Sequence, residues 1–216
     1  MLDNTIHLTY TRFCRKLSSK GWNRYIQILP RVIQDEIPRY RRWQDRQARL
    51  FGKLLLIESL RTYGCSTDCL NNIVFDQFGR PFIDQYIDFN ISHSEEYVVC
   101  AAAEVGRVGV DIERIKPVTL SEFDQCMSKE ELAEINCHVN RYKKFFDYWT
   151  MKESAMKCDG KGLSTGMLDV AIDDYKAKLN GSTVFLSEID INPDYSCHLA
   201  TTTGHPAILL REIRFN

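Results

Sequence analysis

Two carboxylates one residue apart, Asp111 and Glu113, stand in the run Val108-Gly109-Val110-Asp111-Ile112-Glu113. On an extended strand alternate side chains share a face, so both acids point one way while Val110 and Ile112 point the other. Two carboxylates on one face of an apolar strand repel. Desolvation raises their pKa values unless a cation lies between them. A hard divalent ion with oxygen ligands suits such a pair. The competing reading is a solvated strand end that runs into the basic loop Arg114-Ile115-Lys116. A third acid, Glu153, belongs to Trp149-Thr150-Met151-Lys152-Glu153-Ser154-Ala155-Met156-Lys157. Glu153 and Lys157 are four apart and share a helix face, where a surface ion pair worth about 0.2–0.5 kcal/mol is the ordinary outcome. The apolar stripe Phe145, Trp149 and Met156 borders them, however, and Lys152 falls within it. Charge on the edge of a buried stripe suits the wall of a cleft.

Two further groups bear on anion chemistry. Asn90-Ile91-Ser92-His93-Ser94 closes an apolar strand. A hydroxyl, an imidazole and the amides of a following loop together can hold a phosphate. A structural histidine is one alternative, and a Ser-His hydrolase pair is another. No serine stands in a G-x-S-x-G elbow to support the latter. Gly79-Arg80-Pro81 places an arginine on a tight loop and by itself reads as a turn.

The elements that must position these residues follow from periodicity. Trp43, Leu50, Phe51, Leu54, Ile57 and Leu60 recur at helical spacing, which predicts a helix over Arg41 to Leu60 with a basic start. Ile73-Val74-Phe75 and Pro81-Phe82-Ile83 flank a turn. Strands are expected over Ile87 to Ser92, Tyr97 to Ala103 and Val108 to Ile112, as an antiparallel meander. Thr5 to Tyr10 reads as an edge strand. Ser128 with Glu131 three residues on forms a capping-box pattern for a helix through Ile135. A second long helix is expected over Arg141 to Cys158, ended by Gly160-Lys161-Gly162. Four strands follow, over Leu168 to Ile172, Ser182 to Leu186, His198 to Thr202 and Ala207 to Glu212. Helix-then-strands thus occurs twice, without a direct sequence repeat. The fold class is α+β, with one half over 1–104 and the other over 105–216.

Composition bounds the partners. Of 216 residues, 28 are Lys or Arg and 29 are Asp or Glu, so the net charge of -1 draws the chain to neither nucleic acid nor an anionic membrane. The eight cysteines form no CxxC pair and no zinc spacing, and they read as reduced thiols of a cytoplasmic protein. The N-terminus lacks the basic and apolar regions of a signal peptide, and no apolar run approaches the ~20 residues of a membrane span.

The order of the blocks carries more than any one of them. Gly79-Arg80-Pro81, Phe89-Asn90-Ile91-Ser92-His93-Ser94, Val108 through Glu113, and Trp149 through Lys157 followed by Gly160-Lys161-Gly162-Leu163 together resemble the 4′-phosphopantetheinyl transferases. They are most similar to the longer, single-chain type that serves nonribosomal peptide, polyketide or fatty-acid synthases. The resemblance covers about Arg39 to Ser164. It implies a pseudo-two-fold pair of α+β halves with the active cleft between them. It implies transfer of the 4′-phosphopantetheine group from coenzyme A to a serine of an apo acyl or peptidyl carrier protein by a cytoplasmic, monomeric enzyme. The metal implied is magnesium, or manganese in its place, held by Asp111, Glu113 and Glu153. The catalytic residues implied are Glu153, Lys157, Asp111 and His93. Coenzyme contacts fall to Arg80, Ser92, His93, Lys152 and Lys157. The family often sets an arginine four residues before a helix glycine, to hold the 3′-phosphate. Counting back from Gly52 gives Ala48, which Arg46 and Arg49 flank, with Arg39 ahead of the helix. Arg39 and Arg46 are the candidates there. Two rivals stay open: a metal-dependent phosphoesterase acting on nucleotides, and a coenzyme-binding regulator without catalysis.

Overall fold

Leu50, Leu54, Leu55, Leu56, Ile57 and Leu60 leave one long helix, α3 (Trp43–Arg61), with a wide face that must be covered, and all six are buried. The computed structural model describes residues 4–83, 86–162, 165–204 and 206–215. In it the cover for α3 is the apolar strand β5 (Tyr97–Ala103), every residue of which is buried. β5 sits inside a four-stranded sheet with β1 (Thr5–Arg12), β4 (Asp88–Ser94) and β11 (Ala207–Glu212), in the order β11-β1-β5-β4. The short helices α1 (Ser19–Ile26) and α2 (Arg31–Glu36) precede α3, and the hairpin β2–β3 (Val74–Phe75, Pro81–Phe82) precedes β4.

A second helix-on-sheet layer is built from α5 (Arg141–Asp159) and a five-stranded sheet. Its strands are β6 (Val108–Arg114), β7 (Ala171–Asp173), β8 (Lys176–Leu179), β9 (Ser182–Glu188) and β10 (Tyr195–Thr201). They are ordered β6-β10-β9-β8-β7, and every pairing is antiparallel. α5 packs on β6 and β10. Asn140 caps its start by accepting from the Lys143 amide. Gly160 ends it in the left-handed region at φ 79, which glycine enters without a Cβ clash. α4 (Lys129–Cys137) opens with the expected capping box: the Ser128 amide donates to Glu131 Oε2 at 2.7 Å and the Glu131 amide to Ser128 Oγ at 3.2 Å.

The α+β class therefore stands, with four corrections. β1 is not an edge strand, because β11 adds to it in parallel from Thr5↔Ala207 to Tyr10↔Glu212. That return puts the chain end in the first unit, which comprises Met1–Val105 with Pro206–Asn216, and leaves Gly106–His205 as the second unit instead of 105–216. The expected meander is also divided: β4 and β5 pair with each other, whereas β6 pairs with β10. The segment expected as a strand from Leu168 is a 3₁₀ turn at Met167–Asp169 before β7. Leu163 and Ser164 lie outside the described residues.

Candidate active site

Three neighbouring features of the second unit bring its charged residues together. β6 ends its sheet, and Asp111 and Glu113 on it lie opposite His198 and Ser196 of β10. α5 crosses this face. The approach depends on Gly109, because a Cβ there would clash with the Ser154 carbonyl and the Cys158 amide and lie 3.0 Å from Cys158 Cα. With backbone against backbone, Lys157 reaches Asp111: its Nζ donates to Oδ1 at 2.6 Å and to the Val110 carbonyl at 3.3 Å. Asp111 is buried, while Lys157, Glu113 and Glu153 are half-buried. Burial pushes the Glu153 carboxyl up from its ordinary value; Lys157 pulls it down and Asp111 adds to the rise. An ammonium thus rests on the carboxylate oxygen where a cation is expected.

The donor set suits a hard divalent ion, since it offers carboxylate oxygens and an acid whose ionised form is disfavoured by its surroundings. Among the described residues, no three His, Cys, Asp or Glu side chains stand ready-grouped as a metal cage.

On the same face of the sheet, beside Asp111 and Glu113, runs a buried polar chain that the sequence reading missed. Ser196 Oγ donates to Asp147 Oδ1 at 2.8 Å, Thr150 Oγ1 lies 2.9 Å from Ser196 Oγ, and His198 Nδ1 lies 2.8 Å from Thr150 Oγ1. Burial holds the His198 imidazole below its usual pKa, which favours the neutral ring; Asp147 opposes this. The available signal was a histidine and a serine alternating with apolar residues in Tyr195-Ser196-Cys197-His198-Leu199.

Lys152 departs from its expected coenzyme contact. Its side chain is 1% exposed, and Nζ meets Glu131 Oε2 at 2.8 Å, Met167 O at 3.1 Å and Cys126 O at 3.3 Å. It ties the start of α4 to α5, and an ammonium so enclosed has no face for a ligand.

In the first unit, Arg80 is also engaged. Its Nη2 meets Asp88 Oδ2 at 2.6 Å, which clamps the β2–β3 hairpin to the start of β4. Asp76 Oδ1 accepts from the amides of Phe78 and Arg80, and so shapes the turn. Ser92 and His93 both lie inside β4, paired with Val99 and Val98 of β5, and not in a terminal loop. Ser92 is buried and His93 exposed, so the two side chains leave on opposite faces of the strand. Arg39 closes a 3₁₀ turn ahead of α3 and is exposed. Arg46 lines a separate cavity with Lys16, Trp22 and Trp43.

Two family models match this chain. One, described as 4'-phosphopantetheinyl transferase, N-terminal, takes residues 16–105; the other, described as 4'-phosphopantetheinyl transferase superfamily, takes residues 107–206. The chain belongs to the 4′-phosphopantetheinyl transferase superfamily. The Sfp protein of Bacillus subtilis (strain 168), a 4′-phosphopantetheinyl transferase, is 26% identical over 209 residues, 89% of each chain. The gsp protein of Aneurinibacillus migulanus, also a 4′-phosphopantetheinyl transferase, is 36% identical over 138 residues, 60% of this chain and 55% of that one. This chain therefore spans about half the length of the gsp relative. The likeness is to the longer single-chain members of the superfamily. The crystal structure of Thermotoga maritima holo-[acyl-carrier-protein] synthase (AcpS) matches with 16% identity and a TM-score of 0.35, over 44% of this chain and 61% of that one. No helix among the described residues is long and apolar enough to cross a membrane.

Proposed function

We propose that this chain transfers the 4′-phosphopantetheine group of coenzyme A to a serine hydroxyl of an apo acyl or peptidyl carrier protein and releases 3′,5′-adenosine bisphosphate. The observation that carries this reading is the acidic face of α5 and β6, where Asp111, Lys157 and Glu153 meet within the segment matched to the transferase superfamily. Asp111, Glu113 and Glu153 are the proposed ligands of a magnesium ion. Bound there, the ion offsets the negative charge of a pyrophosphate and of the departing phosphate.

The residues of the chain divide the remaining work. Glu153 accepts the proton of the carrier serine as its oxygen bonds to phosphorus and the bond to the adenosine bisphosphate breaks. A positioned base of this kind contributes about 10²–10⁴ in rate. Lys157, displaced from Asp111, donates to the leaving phosphate oxygen. His93, exposed on β4, is the proposed side-chain contact of the coenzyme phosphates, with the strand backbone at Ser92 beside it. Arg39 is the proposed partner of the 3′-phosphate, and Arg80 shapes the loop beside the adenine while paired with Asp88. His198 and Thr150 tie β10 to α5 beside the acidic face and are positioning residues.

Chromatography of the nucleotide products tests the assignment. Adenosine bisphosphate is expected only when coenzyme A, magnesium and an apo carrier are all present. Its release without any carrier would instead establish a phosphoesterase.

A further inference from the structure

The first unit contains a cavity of about 250 Å³ between α1 and the first turns of α3. Lys16, Ser19, Trp22, Trp43, Arg46 and Gln47 are among its lining residues, and none of the lining residues is acidic. Arg80, Ser92 and His93 do not line it.

Its walls are fixed before any ligand arrives. Gln47 is 1% exposed; its Oε1 accepts from the Leu17 amide at 2.8 Å and its Nε2 donates to the Arg15 carbonyl at 2.9 Å. The loop that carries Lys16 is thereby pinned to α3. Trp43 packs edge-on against Phe13, with ring centroids 6.3 Å apart, which holds the second wall. Preorganised walls of this kind lower the ordering cost of binding.

The polar content of the cavity is cationic and incompletely used. Arg46 Nη2 donates to the Arg41 carbonyl at a long 3.3 Å, and Nε is buried without a hydrogen-bond partner among the described residues. A buried guanidinium N–H left unmade is costly, and a ligand oxygen removes that cost. α3 begins at Arg42 without a side-chain cap, so its first amides add positive potential on the same side; Asp45 is the acidic residue of that turn. Two half-buried indoles offer apolar faces and edges that suit a flat ring. The volume lies just under the roughly 300–1,000 Å³ usual for drug-sized ligands, which limits the occupant to about one ring.

We infer that this cavity is a second ligand site, for a small planar anion: one aromatic or heteroaromatic ring that carries a carboxylate or a phosphate. Arg46 and Lys16 take the anionic group, and Trp22 and Trp43 take the ring. The inference does not depend on the transferase reading.

Trp22 and Trp43 are two of the three tryptophans in the chain, so intrinsic fluorescence reports occupancy directly. Phenyl phosphate, benzoate and benzyl alcohol are titrated into the full chain, with and without saturating coenzyme A. Saturable quenching with a dissociation constant below about 1 mM is expected for at least one of the two anions, and none for the alcohol. The tighter anion identifies the head group. Arg46→Gln is expected to weaken it at least tenfold, and Lys16→Ala, at an exposed position, several-fold without disturbing the fold. Trp149→Phe should retain the quench and Trp43→Phe should lose much of it. The inference is overturned by absence of saturation, by an equal response to benzyl alcohol, by unchanged affinity in Lys16→Ala, or by competition from coenzyme A.

Discussion

The two units use one architecture with opposite interiors. In the first, α3 meets its sheet through Leu50, Leu54, Leu55, Ile57 and Leu60 against Val98, Cys100 and Ala102, and these belong to a single apolar cluster. Its polar groups include a hydroxyl pair, Thr9 Oγ1 and Ser59 Oγ, 2.9 Å apart, and the half-buried Lys53 of α3, whose charge is felt at Cys100. In the second, α5 turns Thr150, Lys152, Ser154 and Lys157 toward its surroundings with little or no exposure for the first three. Asp111, Ser196 and His198 face it from the sheet. Its apolar side chains include one cluster around Ala155, Val170 and Leu186 and another around Ile135, Phe145 and Phe146. A dry helix–sheet contact is stabilised by area, at about 25 cal/mol per Å². A polar one is stabilised only while every buried charge keeps its partner. The first unit gains rigidity cheaply; the second gives up that security and gains carboxylates that chemistry can use.

The largest expected break of this comparison is at the acidic face. Asp111→Ala and Glu153→Gln should each lower transfer by about 10² or more, in line with loss of a catalytic acid or base, while far-ultraviolet circular dichroism stays native. Retained turnover in either variant would show that the polar contact in the second unit is structural only.

Next comes the buried pair of Lys152 and Glu131. Removing one partner strands the other, which typically costs about 3–5 kcal/mol. Lys152→Ala is therefore expected to lower the urea midpoint sharply. Lys152→Met combined with Glu131→Leu should recover much of the loss, whereas additive losses would show that the pair is not coupled.

Two matched glycine substitutions sharpen the contrast. At Gly109 a new Cβ meets the backbone of α5, which cannot step aside, so Gly109→Ala should cost the 1–3 kcal/mol typical of overpacking, or more. It should also slow transfer, because α5 carries Glu153. At Gly52 of α3 the neighbour is the Ile91 Cγ2 methyl at 3.0 Å, which can give way. The roughly 0.5–1 kcal/mol gained by replacing glycine inside a helix offsets that strain, so Gly52→Ala should leave the melting temperature nearly unchanged. Equal shifts for the two would erase the distinction between backbone and side-chain contact.

The smallest effect is chemical. Burial in the dry interface of the first unit pushes the Cys100 thiol up to about 12. At pH 8 it is almost wholly protonated, and iodoacetamide should spare it in the native protein while it labels exposed Cys14 and Cys137. Peptide mapping after alkylation checks this, and early labelling of Cys100 would mean that the interface opens readily.

Much of this was legible in the sequence wherever the signal was local. The spacing of Leu50, Leu54, Ile57 and Leu60 revealed α3, and Ser128 with Glu131 revealed the start of α4, because helix periodicity and caps involve residues within a few positions. Partnership between distant strands leaves no such mark. Nothing in Val108 to Ile112 distinguishes pairing with β5 from pairing with β10, and nothing in Ala207 to Glu212 announces a parallel return to β1. Short, polar α1 and α2 lack a long enough periodic stretch to stand out. The ordered blocks made Asp111, Glu113, Glu153 and Lys157 readable as one candidate group, and the structure adds the direct contact of Lys157 with Asp111. Lys152 misled because a charge inside an apolar stripe has two explanations, a cleft or a buried partner. Glu131, which decides between them, lies 2.8 Å away in space but on another helix. His198 stayed hidden because its hydrogen-bond partner sits on α5.

Intact-mass spectrometry of an apo carrier protein, incubated with this chain, coenzyme A and magnesium, tests the central claim most directly. The account predicts that the carrier gains the mass of one phosphopantetheinyl group and that Asp111→Ala prevents the gain. An unmodified carrier across both fatty-acid and peptide-synthetase types, with coenzyme A consumed or untouched, would contradict it.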